Sequence, residues 1–290
     1  MDAADRSSLP RPTSPSSEPR PALPRSAEGL PALDPVFWAA IDEGLRHIPL
    51  ELSASLRAAL DGHGRLLVAW NAAINLTAMR SAEQIARGHV LDSLLAVPAL
   101  RVLAGDRPGI LDIGSGAGYP GLPLALALPA GRAALVDSIG KKATFLEVAA
   151  AVASSTLTEA GESPPQIVAL AERAEDLAQE PDHRESWELV VARAVGSIAE
   201  VAELGLPLAR RGGHVVIWKL DAGDGSLGAE LKAARDVVNA AGGARPRIVR
   251  LAGAADLGLD GHCLVVIDKQ RPTPDRYPRT AGERRRAALR

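Results

Sequence analysis

Apolar positions divide the chain into two differently patterned parts. Between Asp34 and Leu103 they recur at helical spacing: Leu52, Leu56, Ala59, Leu60, Leu67, Trp70 and Ile74 share one face. Ser81, Glu83 and Gln84 form a helix-start signature, after which Ile85 through Leu95 continue in the same period. Gly62 and Gly64 are expected to break or join two helical segments. From Gly109 to Lys269 the pattern becomes short apolar runs alternating with helical stretches. The runs 110–113, 133–136, 166–170, 188–192, 214–218, 247–251 and 262–267 predict strands, and 120–128, 140–153, 174–178, 197–209 and 227–241 predict helices between them. Strands joined by helical crossovers build a mainly parallel, doubly wound α/β sheet. The chain therefore divides into a disordered Pro/Ser-rich tail over 1–33, a helical cap over 34–108, a sheet domain over 109–269 and a basic arm over 270–290.

The first strand leads directly into Gly114, Gly116 and Gly118, with a helix start at Pro120. Glycines so placed permit positive φ and let a ligand lie against main-chain N–H groups at a helix N-terminus. A dinucleotide fingerprint would need its third glycine at position 119, which is Tyr119, so a nicotinamide site is disfavoured. Asp112 sits two places before the first glycine, giving the Asp-x-Gly-x-Gly-x-Gly pattern of S-adenosylmethionine (SAM) enzymes of the Rossmann-like class. Asp137, closing the second run, stands where a carboxylate would take two ribose hydroxyls. In such sheets ligands bind at the carboxyl ends of the strands, where Gly114, Asp137 and Arg193 lie.

Composition narrows the remaining possibilities. A 47% apolar content supports a sizeable core, and a net charge of −2 carries no general nucleic-acid signature. Charge is nevertheless uneven, since Lys269 to Arg290 hold eight basic residues against Asp275 and Glu283. That arm offers phosphate contacts, and its Tyr277 is expected to offer a surface on which a base stacks. One cysteine, Cys263, excludes a disulfide framework and a thiolate metal cluster, so no metal site is expected. No apolar run approaches membrane-spanning length, and the first thirty residues lack a signal-peptide core, so a cytoplasmic protein is expected.

Several separate stretches together resemble the RsmG (GidB) family. They are Asn71 with Asn75-Leu76-Thr77, His89-Val90-Leu91-Asp92-Ser93, the run from Asp112 to Pro123, Asp137-Ser138 with Lys141-Lys142 and Phe145-Leu146, Arg173-Ala174-Glu175, Ala192-Arg193-Ala194, and the 271–279 segment. The likeness covers about Trp70 to Arg279. It implies a Rossmann-like SAM-dependent methyltransferase fold, seven-stranded and mostly parallel, acting on N7 of one guanine in the decoding-region loop of 16S rRNA in the small ribosomal subunit; a monomer is expected. Matching positions make Gly114, Tyr119, Ala174, Glu175 and Arg193 the SAM contacts, joined on the residue reading by Asp112, Gly116, Gly118 and Asp137. Asn75, His89 and Arg193 are the candidates at the reacting end, the first two for the guanine pocket. The chain departs from the family pattern at Gly88, where many members have arginine, at Leu220, where glycine is common, and in the ending from Gly282 to Arg286.

The chemistry implied is undemanding of proton transfer. Guanine N7 carries an in-plane lone pair, so no general base is needed, and the chain shows no Ser/His/Asp or Cys/His set. Two alternatives stay open on sequence: a SAM methyltransferase with another substrate on the same fold, and a non-catalytic ribosome-assembly factor with a vestigial pocket.

Overall fold

The computed structural model describes residues 22–128 and 131–288. Residues 1–21 of the expected disordered tail, and the last two of the basic arm, lie outside the described residues. The apolar runs become seven strands: β1 (Ile110–Ile113), β2 (Arg132–Val136), β3 (Gln166–Leu170), β4 (Trp187–Arg193), β5 (Ala209–Leu220), β6 (Arg247–Arg250) and β7 (His262–Asp268). They form one sheet in the order β3-β2-β1-β4-β5-β7-β6, with β1 to β5 parallel and β7 antiparallel to both its neighbours. Both faces are covered, which is why the central strands read as uninterrupted apolar runs rather than alternating ones.

Successive side chains point to opposite faces. Ile110, Leu135 and Val191 pack on one side with the cap, α1 (Val36–Leu45), α2 (Ala54–Asn71), α5 (Val97–Ala104), α6 (Gly121–Ala127) and α7 (Gly140–Glu159). Leu111, Val136 and Val190 pack on the other with α8 (Ala174–Leu177), α9 (Ile198–Gly205), α10 (Ser226–Ala233) and α11 (Arg235–Ala240). Between α2 and α5 the chain forms one composite helix: α3 (Ala82–Ile85), capped reciprocally by Ser81 and Gln84, runs into a π-helix at Ala86–Leu91 and then α4 (Asp92–Leu94). No helix among the described residues is long and apolar enough to cross a membrane.

Four expectations change. Gly62 and Gly64 do not interrupt α2, which runs unbroken. A Cβ at Gly64 would lie 2.9 Å from Leu33 Cδ1, and one at Gly62 3.1 Å from Val152 Cγ1 in α7. The glycines serve close approach, not helix breaking. Residues 22–33, assigned to the tail, instead lie against α2. Trp70 Nε1 donates to the Pro24 carbonyl at 2.8 Å and Arg65 Nε to that of Pro31 at 3.1 Å. Proline removes a donor but keeps its carbonyl, so a segment poor in regular structure still docks by acceptance. Finally, the helix expected over 197–209 ends at Gly205, and β5 begins at Ala209, which pairs with Trp187. Glycines 212 and 213 hid that strand start. A Cβ at Gly213 would come within 2.8 and 2.9 Å of the Trp187 and Glu188 carbonyl oxygens. The expected 227–241 helix divides at Ala234, for which the structure offers no reason.

Candidate functional site

The loop from Ile113 to α6 is held from beneath. Gly114, Gly116 and Gly118 have φ of +67°, +55° and +86°, the left-handed region that only glycine enters without strain. Ser115 N donates to Val136 O at 2.9 Å and Gly118 N to Ser115 O at 2.7 Å, fixing the loop to the end of β2. The three glycines differ in what surrounds them. A Cβ would strike Val195 at Gly114 and His63 at Gly118, whereas at Gly116 it would meet nothing closer than Gly114 O at 3.8 Å and Asp137 Oδ2 at 4.0 Å. Gly116 therefore borders open space beside the Asp137 carboxylate, a cradle that fits a ligand lying on the backbone.

Asp137 accepts Gly116 N through Oδ2 at 3.0 Å and Ile139 N through Oδ1 at 2.9 Å. A carboxylate offers about four lone-pair sites, so two remain for a ligand's hydroxyls. Asp112, counted with the cofactor contacts from sequence, is placed differently. It is fully buried on the cap side of β1, where its Oδ2 accepts Gly121 N at 2.9 Å. It reaches a ligand only through the loop it holds. Its second oxygen has no partner among the described residues, and burial pushes its pKa up to about 7.

Tyr119, at the end of the loop, lies between two imidazoles. His89 stacks on it with centroids 4.7 Å apart and planes 8° apart, and His63 from α2 with centroids 4.5 Å apart. His63 Nε2 donates to the Ala117 carbonyl at 2.8 Å, so the cap grips the loop through that ring. Arg193, the last residue of β4, places its guanidinium 5.8 Å from the Tyr119 centroid. It donates to Gly88 O at 2.7 Å, Asp92 Oδ2 at 3.0 Å and His89 Nδ1 at 2.6 Å.

Arginine can only donate, so His89 Nδ1 is the acceptor and its Nε2–H donates to Thr77 Oγ1 at 2.7 Å. The ring is neutral: burial, and then the Arg193 charge, lower its pKa to about 3. Burial likewise lowers that of His63 to about 4 and raises that of the Tyr119 phenol. The π-helix supplies this geometry. It puts Gly88 O, His89 and Asp92 on the sheet side, and such helices often mark functional sites.

The structure thus brings Arg193, His89 and Tyr119 together beside Gly114, Gly116, Gly118 and Asp137. Asn75 does not join them. Its side chain is exposed and only within 3.5 Å of Arg80, while Asn71 shapes the loop by accepting Leu76 N and Thr77 N. Ala174 is buried at the start of α8 and Glu175 follows it, but Glu175 is bound to Arg284 at 3.1 Å. His63 was missed because a lone histidine on an apolar helix face carries no signal. Asp92 gave a faint one, three residues after His89 within a helical run.

The C-terminal arm is not the free basic strip its composition suggests. Lys269 is buried against Glu185, Arg271 donates to Asn239, and Arg279 clasps Glu203 through two nitrogens at 2.8 and 2.5 Å. Arg284, in the final helix α12 (Ala281–Ala288), is the partner of Glu175. Tyr277 is buried between the guanidinium groups of Arg276 and Arg279, so it is not a surface for base stacking. Arg276 and Arg286 remain exposed. Among the described side chains, four of the arm's basic groups are therefore engaged within the chain itself.

The GidB family model, described as rRNA small subunit methyltransferase G, matches residues 57–236. Ribosomal RNA small subunit methyltransferase G of Roseiflexus sp. (strain RS-1) is 39% identical over 217 residues, 74% of this chain and 84% of its own length. Proteins of the same name from Moorella thermoacetica and Pelotomaculum thermopropionicum are 37% and 34% identical, over 78% and 85% of this chain and 87% and 96% of theirs. The matched span runs from α2 through the glycine loop to α11, and so contains the whole cluster around Arg193. This chain belongs to the GidB family, rRNA small subunit methyltransferase G.

Proposed function

We propose that this chain is a cytoplasmic SAM-dependent methyltransferase that modifies N7 of one guanine in the decoding-region loop of 16S rRNA. The observation that carries the reading is the open space at Gly116 beside Asp137, on a loop whose Tyr119 is stacked on His89 and faced by Arg193. When bound, SAM supplies an electrophilic methyl group. The residues that would hold it are the three glycines through their backbone, Asp137 at the ribose hydroxyls and Tyr119 beside the loop, with Ala174 and Glu175 bordering the adenine. Asp112 acts beneath them as a positioning residue.

Guanine N7 needs no deprotonation before it attacks a methyl group. That suits a site whose two buried histidines are both neutral and whose arginine is fixed by three hydrogen bonds. None of these groups is poised to take a proton. Their work is alignment, and holding reactants in a near-attack geometry supplies up to roughly 7–11 kcal/mol of a barrier. Arg193 anchors the boundary between cofactor and base, since it ties the cap to the end of β4. The acceptor base must arrive unstacked, so that N7 can approach the methyl group in line.

The test is transfer of labelled methyl from SAM to bacterial small subunits lacking this loop methylation, followed by mapping of the modified nucleotide. Label on N7 of one loop guanine is expected. Label elsewhere, or none despite tight SAM binding, would overturn the substrate assignment.

A further inference from the structure

A second, smaller hollow adjoins Arg193. It opens at the carboxyl ends of β4 and β5 and the start of β7, has a volume of about 230 Å³, and is lined by Asp92, Arg193, Trp218, Lys219 and His262 among others. Sites for drug-sized molecules span roughly 300–1,000 Å³, so this one suits a single flat ring system. Its polar groups are organised by one carboxylate. Asp92 takes Arg193 on Oδ2 at 3.0 Å and His262 Nδ1 on Oδ1 at 2.8 Å, while its backbone carbonyl accepts Trp218 Nε1 at 2.9 Å. Asp92 itself is sealed from solvent, whereas the His262 side chain is 33% exposed at the rim.

We infer that this hollow receives the acceptor guanine and that His262 Nε2 accepts a hydrogen bond from the base's N1–H and N2–H₂ edge. The inference rests on the guanine-N7 reading above and deepens it. In neutral His262 the proton lies on Nδ1, because Asp92 can only accept there, and this leaves Nε2 as the ring's lone pair on a residue that lines the hollow. Guanine presents donors at N1 and N2, whereas adenine presents an acceptor at N1, so the tautomer set by Asp92 selects guanine.

It also favours the reaction. Forming the N7–methyl bond while the methyl–sulfur bond breaks leaves the base cationic, with no proton moved. A cationic ring makes N1–H and N2–H stronger donors, so a bond to His262 strengthens on the way to the transition state. Trp218 supplies an apolar wall, and Arg193 joins the hollow to Tyr119 and the glycine loop. The hollow thereby takes the role the sequence suggested for Asn75, which is exposed, and for His89, whose two ring nitrogens are already bonded to Arg193 and Thr77.

The charged groups facing His262 are Asp92 from the cap, Arg193 on β4 and Lys219 on β5, the last paired with Glu230 at 2.6 Å. The hydrogen bond to Asp92 raises the His262 pKa from its usual 6.5. Protonation turns Nε2 into a donor, so methylation should fall on the acid side with an inflection above that value.

The experiment measures methyl transfer to undermethylated small subunits by wild-type protein, His262→Ala and His262→Gln across pH 5.5–9, with SAM affinity by calorimetry. His262→Ala should lose about tenfold to a hundredfold in kcat with SAM affinity unchanged. His262→Gln, whose amide oxygen accepts without titrating, should recover at least tenfold over the alanine variant and lack the acid inflection. Wild-type kcat in His262→Ala, or an acid inflection that persists in His262→Gln, would overturn the assignment of His262 alone. Wild-type protein that labels no guanine N7 would overturn the reading on which it rests.

Discussion

Asp112 is a carboxyl group buried without a countercharge, and its replacement by asparagine tests how the glycine loop is held. The side-chain amide of Asp112→Asn keeps an acceptor for Gly121 N, which Asp112 Oδ2 contacts at 2.9 Å, and keeps the volume that lets Gly121 lie against the strand. What the substitution removes is a titration. The native carboxyl has its pKa raised to about 7 by burial, against an ordinary value of 3.8. Between those values the unfolded chain carries a charge that the folded chain lacks, so folding takes up a proton and wild-type stability from this group is lost as pH rises from about 4 to about 7.

Each pKa unit corresponds to 1.36 kcal/mol, so the stability of Asp112→Asn relative to wild type should rise by about 2–3 kcal/mol between pH 5 and pH 8. Other groups titrate equally in both proteins and cancel in the difference. Urea denaturation of both proteins at the two pH values measures it, and SAM affinity at pH 8 should stay within a few-fold. A stability difference that does not grow with pH would refute the buried-carboxyl account. A collapse of SAM affinity in the asparagine variant would show that Asp112 touches the ligand after all.

Further expectations concern the loop, the stacked rings and the C-terminal clasp. Gly116→Ala places a Cβ in the cradle at a φ of +55°, so it should cost about 1–2 kcal/mol of stability yet weaken SAM binding at least tenfold; calorimetric affinity equal to wild type would place the ligand elsewhere. His63 and His89 are neutral in the fold but charged in the unfolded chain below pH 6.5, so their stability is present above that pH and lost as pH falls toward 4. His63→Phe, which keeps a ring against Tyr119, should flatten that acid slope by about 1.4 kcal/mol per pH unit, and an unchanged slope would contradict it. Glu203→Gln removes the charge that Arg279 clasps and should cost about 1–3 kcal/mol while making α12 cleavable in limited proteolysis; wild-type resistance would show the clasp to be dispensable.

Much of this molecule is local physics and is therefore written in the chain. A strand run such as 133–136 is legible because burial on both faces demands unbroken apolar residues, and the glycine loop because positive φ leaves so few residues to choose from. Gly114, Asp137 and Arg193 were locatable as a group because parallel topology sends all strand ends to one edge. What stayed hidden depends on contacts between distant segments. Asn75 and Asn71 look equivalent in sequence, but only the turn that Asn71 closes decides which is consumed and which is exposed.

The same holds for charge. A basic tail reads as an RNA grip until Glu203, Glu175 and Glu185, from α9, α8 and the turn before β4, are found to pair with three of its charges. His63, Asp92 and His262 lie far apart in the chain, and folding brings each to the glycine loop or to Arg193. Periodicity and backbone freedom are enough to establish the sheet, the loop and the class of ligand, because both are properties of consecutive residues. Which polar side chains face a ligand, and which are spent on their neighbours, is settled by the folded chain alone, because a hydrogen bond depends on the position of both partners and a sequence lists them one at a time.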